Sequence, residues 1–552
     1  MRIRRSHASA ARGAIRKAKP FALLVVVLLL VGCGHRGGEL TAPVEGWRSS
    51  TPEEQGIDSR PLLAMLQEIQ EQDLRIDGVI VVRNGYLVME AYFPPYTGEH
   101  RHIIYSATKG ISALLAGLAI EDGLILDEKV KVLDLLPMKG EEIENLDDWK
   151  RQLALEDLLT MTDGFEWQDW PYGIRAEGDF SRLLASSDGV RYILDKPIVQ
   201  EPGTHFNYNS GASHLLTAIV QEVTGETALE YANARLFQPL GIHDAGWSAY
   251  QGINNGGSEL FLRPREMAKV GFLMLNEGRW EGQQILPADW VEASLQQYIK
   301  TDVEFIEEEY GYQWYTKTFA GHKVHSAEGL GGNFTFIVPD LELVVAFAGG
   351  LMGKEMAVPY RFLEESVIPA VKSDTPLPPN PDFIQTLNTL AAGLPATAQE
   401  LPEFARQVSG STFEVRDEEN VLGIEQLSIT FPQGNEARMK IVYSGTGVDA
   451  DWGMDIVFRR DDVLEEEREL QMAIGLDGRF RTVIVDHDEV GKVPFSAKGR
   501  WEDDHTLILT VLSAWAIPEK WMLSFQDDDN ATLLIETPFL QTTIPLHDSP
   551  AQ

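Results

Sequence analysis

Tyr105-Ser106-Ala107-Thr108-Lys109-Gly110-Ile111-Ser112-Ala113-Leu114-Leu115-Ala116-Gly117-Leu118-Ala119-Ile120 is the stretch on which the reading of this chain turns. Apolar residues at 111, 114, 115 and 118 recur at helical spacing, and Ala113, Ala116, Gly117 and Ala119 fill the other faces. A helix apolar all round is buried at the centre of a globular body. Glu121-Asp122-Gly123 ends it. Ser106 and Lys109 stand at its head, three residues apart, so their Cβ atoms share one face roughly 5–6 Å apart. A serine hydroxyl is a weak nucleophile until a base takes its proton. A lysine in an apolar pocket loses the solvation of its charge, and its pKa falls towards the range a base needs. Backbone N–H groups at the helix start also favour an oxyanion. Ser-x-x-Lys alone is weak evidence, because chance supplies about one in a chain of 552 residues.

Working outward, Asp77 to Phe93 reads as a hairpin. Val79-Ile80-Val81-Val82 and Tyr86-Leu87-Val88-Met89 flank a turn at Arg83-Asn84-Gly85, and Asn-Gly suits a tight turn whose central residues need positive φ. Helical and loop segments fill the middle, and strands return at Phe334–Val338 and Leu341–Phe347, joined by Pro339-Asp340. Strands at both ends with helices between predict an α/β or α+β body whose sheet is assembled from distant parts. Thr375-Pro376-Leu377-Pro378-Pro379-Asn380-Pro381 is the clearest linker. Residues 375–407 are assigned to this linker and a short helix. From 408 to 552 the chain reads as strands punctuated by turns, a β-rich barrel or sandwich.

Two more segments carry chemistry. Pro202-Gly203-Thr204-His205-Phe206-Asn207-Tyr208-Asn209-Ser210 sets a tyrosine in a polar loop before another apolar helix. Tyr208 there is either a proton relay or a core tyrosine with a satisfied hydroxyl. Ala327-Glu328-Gly329-Leu330-Gly331-Gly332-Asn333 precedes a strand, and its glycines let backbone approach a substrate. Read alone, it is equally a glycine turn. Tyr312 and Trp314 fit either the walls of a substrate pocket or ordinary packing.

Residues from about 53 to 372 resemble the serine β-lactamase / penicillin-recognising fold, and within it the class C-like esterases, amidases and 6-aminohexanoate-dimer hydrolases. The resemblance rests on Ser106-Ala107-Thr108-Lys109, Leu158-Leu159-Thr160-Met161-Thr162-Asp163-Gly164, Pro202-Gly203-Thr204, Tyr208-Asn209-Ser210, Leu236 to Ile242, Tyr310-Gly311-Tyr312-Gln313-Trp314 and Ala327 to Asn333, in that order. It implies an antiparallel sheet with a helical domain over 53–374, followed by a C-terminal β-barrel resembling lipocalin-like appendages. The catalytic residues implied are Ser106, Lys109 and Tyr208. The backbone N–H groups of Ser106 and Leu330 would hold the oxyanion, and Ser210, Tyr312, Trp314 and Gly329 would line the substrate pocket. Two positions depart from the family pattern. Ser210 stands where Tyr-x-Asn has its asparagine, and Ala327-Glu328-Gly329 stands where β-lactamases have Lys-Thr-Gly. Alanine cannot bind a drug's carboxylate, and Glu328 beside it is expected to repel an anion.

The expected function is cleavage of an ester, amide or peptide bond in a small substrate through an acyl-enzyme, with no metal and no cofactor. A penicillin-binding D-alanyl peptidase or weak β-lactamase is the rival among enzymes. A catalytically silent lipoprotein that binds peptides or muropeptides is the rival outside them.

The net charge of -37 argues against nucleic acid as a partner. A hydrophobic content of 44% indicates a sizeable core. At the N-terminus, Arg2, Arg4, Arg5, Arg12, Arg16, Lys17 and Lys19 precede the apolar run Phe21–Val31, which ends in Leu30-Val31-Gly32-Cys33. Residues 1–32 read as a lipoprotein signal peptide and 33–52 as a tether, with a plain membrane anchor as the alternative. Cys33 is the chain's single cysteine, so disulfides within the chain are impossible, and it stands where lipidation needs a thiol. Gly34 is not the aspartate that retains lipoproteins on the inner membrane. The expected address is the bacterial cell envelope, lipid-anchored at the outer membrane or cell surface and facing the periplasm or exterior.

Overall fold

The hairpin forms as the Asn-Gly turn requires. In the main sheet, β1 (Ile76–Arg83) and β2 (Tyr86–Tyr92) are antiparallel, with Asn84 and Gly85 at φ 52° and 76°. The other strands of this sheet are β3 (Ile299–Lys300), β4 (Glu309–Tyr310), β5 (Tyr315–Phe319), β6 (His322–Gly329), β7 (Asn333–Val338) and β8 (Leu343–Gly349). The computed structural model describes residues 47–136, 143–171, 177–301, 308–392, 400–415, 422–432, 435–443, 468–487, 490–513 and 516–548. Among the described residues the spatial order is β3-β4-β5-β6-β7-β8-β1-β2, antiparallel throughout. The first and last strands of this sheet in chain order, β1 and β8, pair with each other, with Val79 opposite Phe347 and Val81 opposite Val345.

Alternation along β1 sends its side chains to two cores. Ile80 and Val82 join one with α2 (Thr108–Glu121), α3 (Ser210–Thr224) and α4 (Pro264–Leu275). Val79 and Val81 join the other with α1 (Ser59–Glu71) and the segment Phe362–Ala370. The helix α2 is buried from Thr108 to Ala119, as an all-apolar surface requires, and Gly123 follows its end at φ 72°. The strand expected from Leu341 begins at Leu343, because Pro339–Leu341 is wound into a single 3-10 turn. The proline-rich segment lies against the body, where Leu377 N donates to Glu53 O at 2.8 Å and Asn380 Nδ2 to Ser59 Oγ at 2.8 Å.

Beyond it stands a β-barrel. Among the described residues nine strands close into a ring, from Thr412–Val415 through Arg468–Gly475 and from Gly491–Trp501 through Gln541–Asp548. The parallel pairing of Ile474 with Ala497 shuts it, and Arg481–His487 adds to the outside of the Gly491–Trp501 strand. Leu507, Leu509 and Val511 show the inward half of the alternation that fills the barrel. The described residues all fall within one compact unit. The candidate signal, 1–32, and Cys33 lie outside the described residues. Among the described residues no helix is long and apolar enough to cross a membrane.

Candidate active site

Ser106 sits in a 3-10 turn, Tyr105–Ala107, between the short strand His102–Ile103 and the first turn of α2. Lys109, the second residue of the helix, is 2% exposed, and its Nζ donates to Ser106 Oγ at 3.1 Å. The same ammonium donates to Gly257 O at 2.6 Å and lies 4.7 Å from the centre of the Tyr208 ring. Burial brings its pKa down from 10.5 to about 8, against the opposing pull of the Asp169 charge. Both of its hydrogen-bond acceptors are neutral, so little counteracts the desolvation.

Tyr208 hydrogen-bonds to Ser106 through its side chain, which completes a triangle of hydroxyl, amine and phenol. Burial raises the phenol's pKa, and the Asp169 charge adds to the rise. The Ser106 hydrogen bond opposes both and loses. Tyr208 therefore keeps its proton, while Lys109 is the group poised to gain or lose one near neutrality.

The loop that carries Tyr208 is pinned on both sides. Asn209 caps α3 by accepting from Ala212 N at 3.0 Å, while its Nδ2 donates to Asp163 Oδ1 at 3.0 Å. Asn207 N donates to Met161 O at 2.9 Å and Asn209 N to Met161 Sδ at 3.1 Å. The block Leu158 to Gly164 thus holds the tyrosine loop. Asp163 is fully buried, and desolvation raises its pKa to about 7.

Ser210 is 1% exposed, and its Oγ donates to Asp169 Oδ2 at 2.6 Å, with its N–H on Asp169 Oδ1 at 2.9 Å. Its hydroxyl is directed at a carboxylate behind the site. Tyr312 is buried, donates to Glu156 Oε1 at 3.1 Å and stacks on Tyr298. Trp314 is buried against Gly110, where an added Cβ would meet its indole at 3.1 Å, so it backs α2 from beneath. Both aromatics are occupied by packing.

Gly329 closes the strand β6 against the nucleophile turn. A Cβ there would come within 2.1 Å of Ile104 O and 3.2 Å of Ala107 N, so only glycine permits this approach. Leu330 follows, with its carbonyl accepting from Asn333 Nδ2 at 2.6 Å. The backbone at 329 thereby lies against Ile104 and Ala107, on either side of Tyr105-Ser106, and Leu330 is the next residue along. Glu328 behaves differently from expectation. It points to the sheet face opposite Ala327, where Lys317 Nζ reaches its two oxygens at 2.8 and 2.9 Å, with Ser326 and Tyr360 also bonded to it. Its charge is matched by a buried cation, so repulsion of an anion by Glu328 gives way to a simpler fact. Ala327 supplies no cation.

Two contributors were not singled out from the sequence. Gly257, within Asn254-Asn255-Gly256-Gly257, offers its carbonyl to Lys109, and a Cβ on Gly256 would meet Ser213 O at 2.0 Å. The Asn-Asn-Gly-Gly run was the available signal for a close backbone approach. Asp169, which organises Ser210 and accepts from Trp167 Nε1 at 2.5 Å, had none, since a single aspartate in a loop matches no pattern.

Comparison with known proteins gives the family. A profile of the Beta-lactamase family matches residues 63–362, a span that includes Ser106, Lys109, Tyr208 and Leu330. The chain is similar to the 6-aminohexanoate-dimer hydrolase of Paenarthrobacter ureafaciens, at 25% identity over 319 residues, 54% of this chain and 78% of that protein. It is similar to the lovastatin esterase of Penicillium rubens at 26% identity over 190 residues, 31% of this chain and 46% of that protein. Among solved structures, an octameric penicillin-binding protein homologue from Pyrococcus abyssi aligns over 88% of this chain and 99% of its own, at 14% identity and a TM-score of 0.47. The chain thus belongs to the Beta-lactamase family of serine hydrolases.

Proposed function

We propose that the protein cleaves an ester or amide bond through an acyl-enzyme on Ser106. The observation that carries this reading is the 3.1 Å hydrogen bond from a fully buried Lys109 to Ser106 Oγ. The neutral amine takes the Ser106 proton as Oγ bonds to the substrate's carbonyl carbon. The oxyanion is held by the backbone N–H groups of Ser106 and Leu330. As the carbon–oxygen or carbon–nitrogen bond breaks, Tyr208 gives its proton to the leaving group and is reprotonated from the Lys109 ammonium. Water then repeats the sequence and frees the acyl group. The named activities of the two curated relatives, one an esterase and one a hydrolase of a 6-aminohexanoate dimer, support this substrate class. Ala327 favours substrates without a carboxylate at that position.

A fluorophosphonate probe is expected to label the full chain, and Ser106→Ala to abolish labelling while the fold persists. Labelling that survives this substitution refutes the assignment. Turnover of nitrocefin is expected to fall below that of p-nitrophenyl butyrate in kcat/KM, and the reverse order would refute the role given to Ala327.

The address belongs to the same proposal. Cys33 carries diacylglycerol, which anchors the protein in the cell envelope with its folded part outside the cytoplasm. Each buried CH₂ contributes about 0.8 kcal/mol, so two chains call for detergent in extraction. Cys33→Ser is expected to block incorporation of labelled palmitate. Wild-type protein that takes up none and washes off membranes in high salt would refute the anchor.

A further inference from the structure

The nucleophile turn has a second face, directed away from Lys109. On it Tyr105 is buried in a cluster with Tyr96, Ile103 and Phe261 of the body and with Val490, Val493, Ala516 and Ile517 of the barrel. Leu330 packs against the same cluster and is partly buried. Thus one apolar cluster, built half from the barrel, touches the residue before Ser106 and the residue after Gly329. These are the two segments from which the oxyanion donors come.

Three further contacts show how closely the barrel is set against the body here. A Cβ on Gly350 would lie 2.2 Å from Ala516 O, and one on Gly246 would lie 2.7 Å from Val490 O. Arg101 Nη2 donates to Lys492 O at 3.1 Å. The Gly350 contact also leads back to the site. Asn333 Nδ2 bridges Leu330 O at 2.6 Å and Gly349 O at 3.0 Å, so the strand end lying on Ala516 is tied to the Leu330 backbone.

The turn needs such support. Tyr105 has φ 46°, in the left-handed region that a bulky side chain enters only when its surroundings hold it there. A residue forced out of that region would rotate the peptide joining it to Ser106, and with it the Ser106 N–H.

We propose that the barrel is part of the catalytic apparatus, with Val490, Ala516 and Ile517 as positioning residues that brace the Tyr105–Ser106 and Leu330 backbone segments. The proposal rests on Ser106 being the acylated residue. It assigns the barrel a task within this chain rather than a ligand of its own. Substitutions on its seam should therefore lower the rate of the chemical step while leaving substrate affinity nearly intact.

The experiment uses the full chain with two substitutions outside the Ser106–Lys109–Tyr208 set. Ile517→Ala removes bracing from the barrel side. Gly350→Ala inserts a methyl group between the two surfaces. Expected for each is a fall of at least about tenfold in kcat for p-nitrophenyl butyrate and in the rate of fluorophosphonate acylation, the scale of a misplaced oxyanion donor. KM should stay within about threefold, and Ile517→Val should restore most of the rate. Unchanged kcat and acylation in both variants overturns the role of the barrel. So does a loss that only tracks the fraction of unfolded protein in a thermal melt. Failure of wild-type protein to label at Ser106 is a separate result, which overturns the nucleophile assignment and this proposal with it.

Discussion

Among the lysines buried in the body of this protein, Lys109 and Lys317 have opposite surroundings. Lys109 Nζ meets a hydroxyl and a carbonyl, both neutral. Lys317 Nζ, on the neighbouring strand β5, meets the two oxygens of Glu328, the hydroxyl of Tyr360 at 2.8 Å and, at 3.7 Å, Glu308. The exposures are almost equal, 2% and 4%. What separates the two is the charge of the partners. An ammonium among dipoles alone has its pKa lowered by desolvation, as do Lys150 and Lys269 on their carbonyls, and Lys109 alone of the three has a serine hydroxyl beside it on which to act as a base. An ammonium set between carboxylates meets opposite charge and serves as an internal fastener. Glu308 shows the strain on the second arrangement, since desolvation raises its pKa to about 7 despite the pull of Lys317.

Substitution of the fastener is expected to give the largest effect. Lys317→Met leaves Glu328 and Glu308 buried without their cation, a loss of about 3–5 kcal/mol in unfolding free energy. The Ser106 acylation rate of the molecules that remain folded should stay within a few-fold of wild type. Chemical denaturation paired with probe labelling measures both. A variant that is stable but inactive would place Lys317 in the chemistry and erase the distinction.

Lys109→Ala is expected to show the reverse. It should cost at least about a hundredfold in kcat/KM, the usual scale for a proton-transfer group. Stability should fall by less than for Lys317→Met, because no buried charge is left behind. Tyr208→Phe should cost a similar factor in turnover. Near-normal rates in either variant would mean that the proton path runs elsewhere.

The sequence made the first lysine legible and left the second unnoticed, for a physical reason. Ser106 and Lys109 are neighbours on one helix, and a spacing of three residues fixes their geometry locally. The all-apolar surface of α2 announces the burial that lowers the pKa. The pairing of Lys317 with Glu328 depends on the register of β5 against β6, where Lys317 faces Val324 and Tyr315 faces Ser326. Nothing in the order of residues states that register. The same limit explains Glu328, whose charge was expected at the active site. Strand alternation turns it to the opposite face from Ala327, where its partners wait. Gly257 and Asp169 likewise come from loops brought in by tertiary packing. The hairpin at Asn84-Gly85 and the buried helix were readable because short-range rules govern them. The barrel's strands were also readable from alternation and turns, but its seam joins Tyr105 to residues from Val490 to Ile517, far along the chain.

The smallest expected effect, and the sharpest, is in pH. If Lys109 works as the neutral amine, kcat/KM should fall about tenfold per unit below pH about 8 and level off above it. Stability should not follow the same curve. Below pH 8 the lysine is protonated in both the folded and the unfolded chain, so its titration contributes no slope. Between about 8 and the unfolded value of 10.5 the unfolded chain still holds a proton that the folded one has released. Stability therefore rises with pH in that window. Subtracting the stability of Lys109→Met at each pH removes the contribution of every other titrating group, including Asp163 and Glu308. The expected result is a rate that changes from pH 6 to 8 across a flat stability difference, and a difference that climbs only above pH 8. A rate that is flat from pH 6 to 8 would mean that Lys109 is not the base. A stability difference that rises below pH 8 would mean that its pKa is set lower than burial among neutral partners implies.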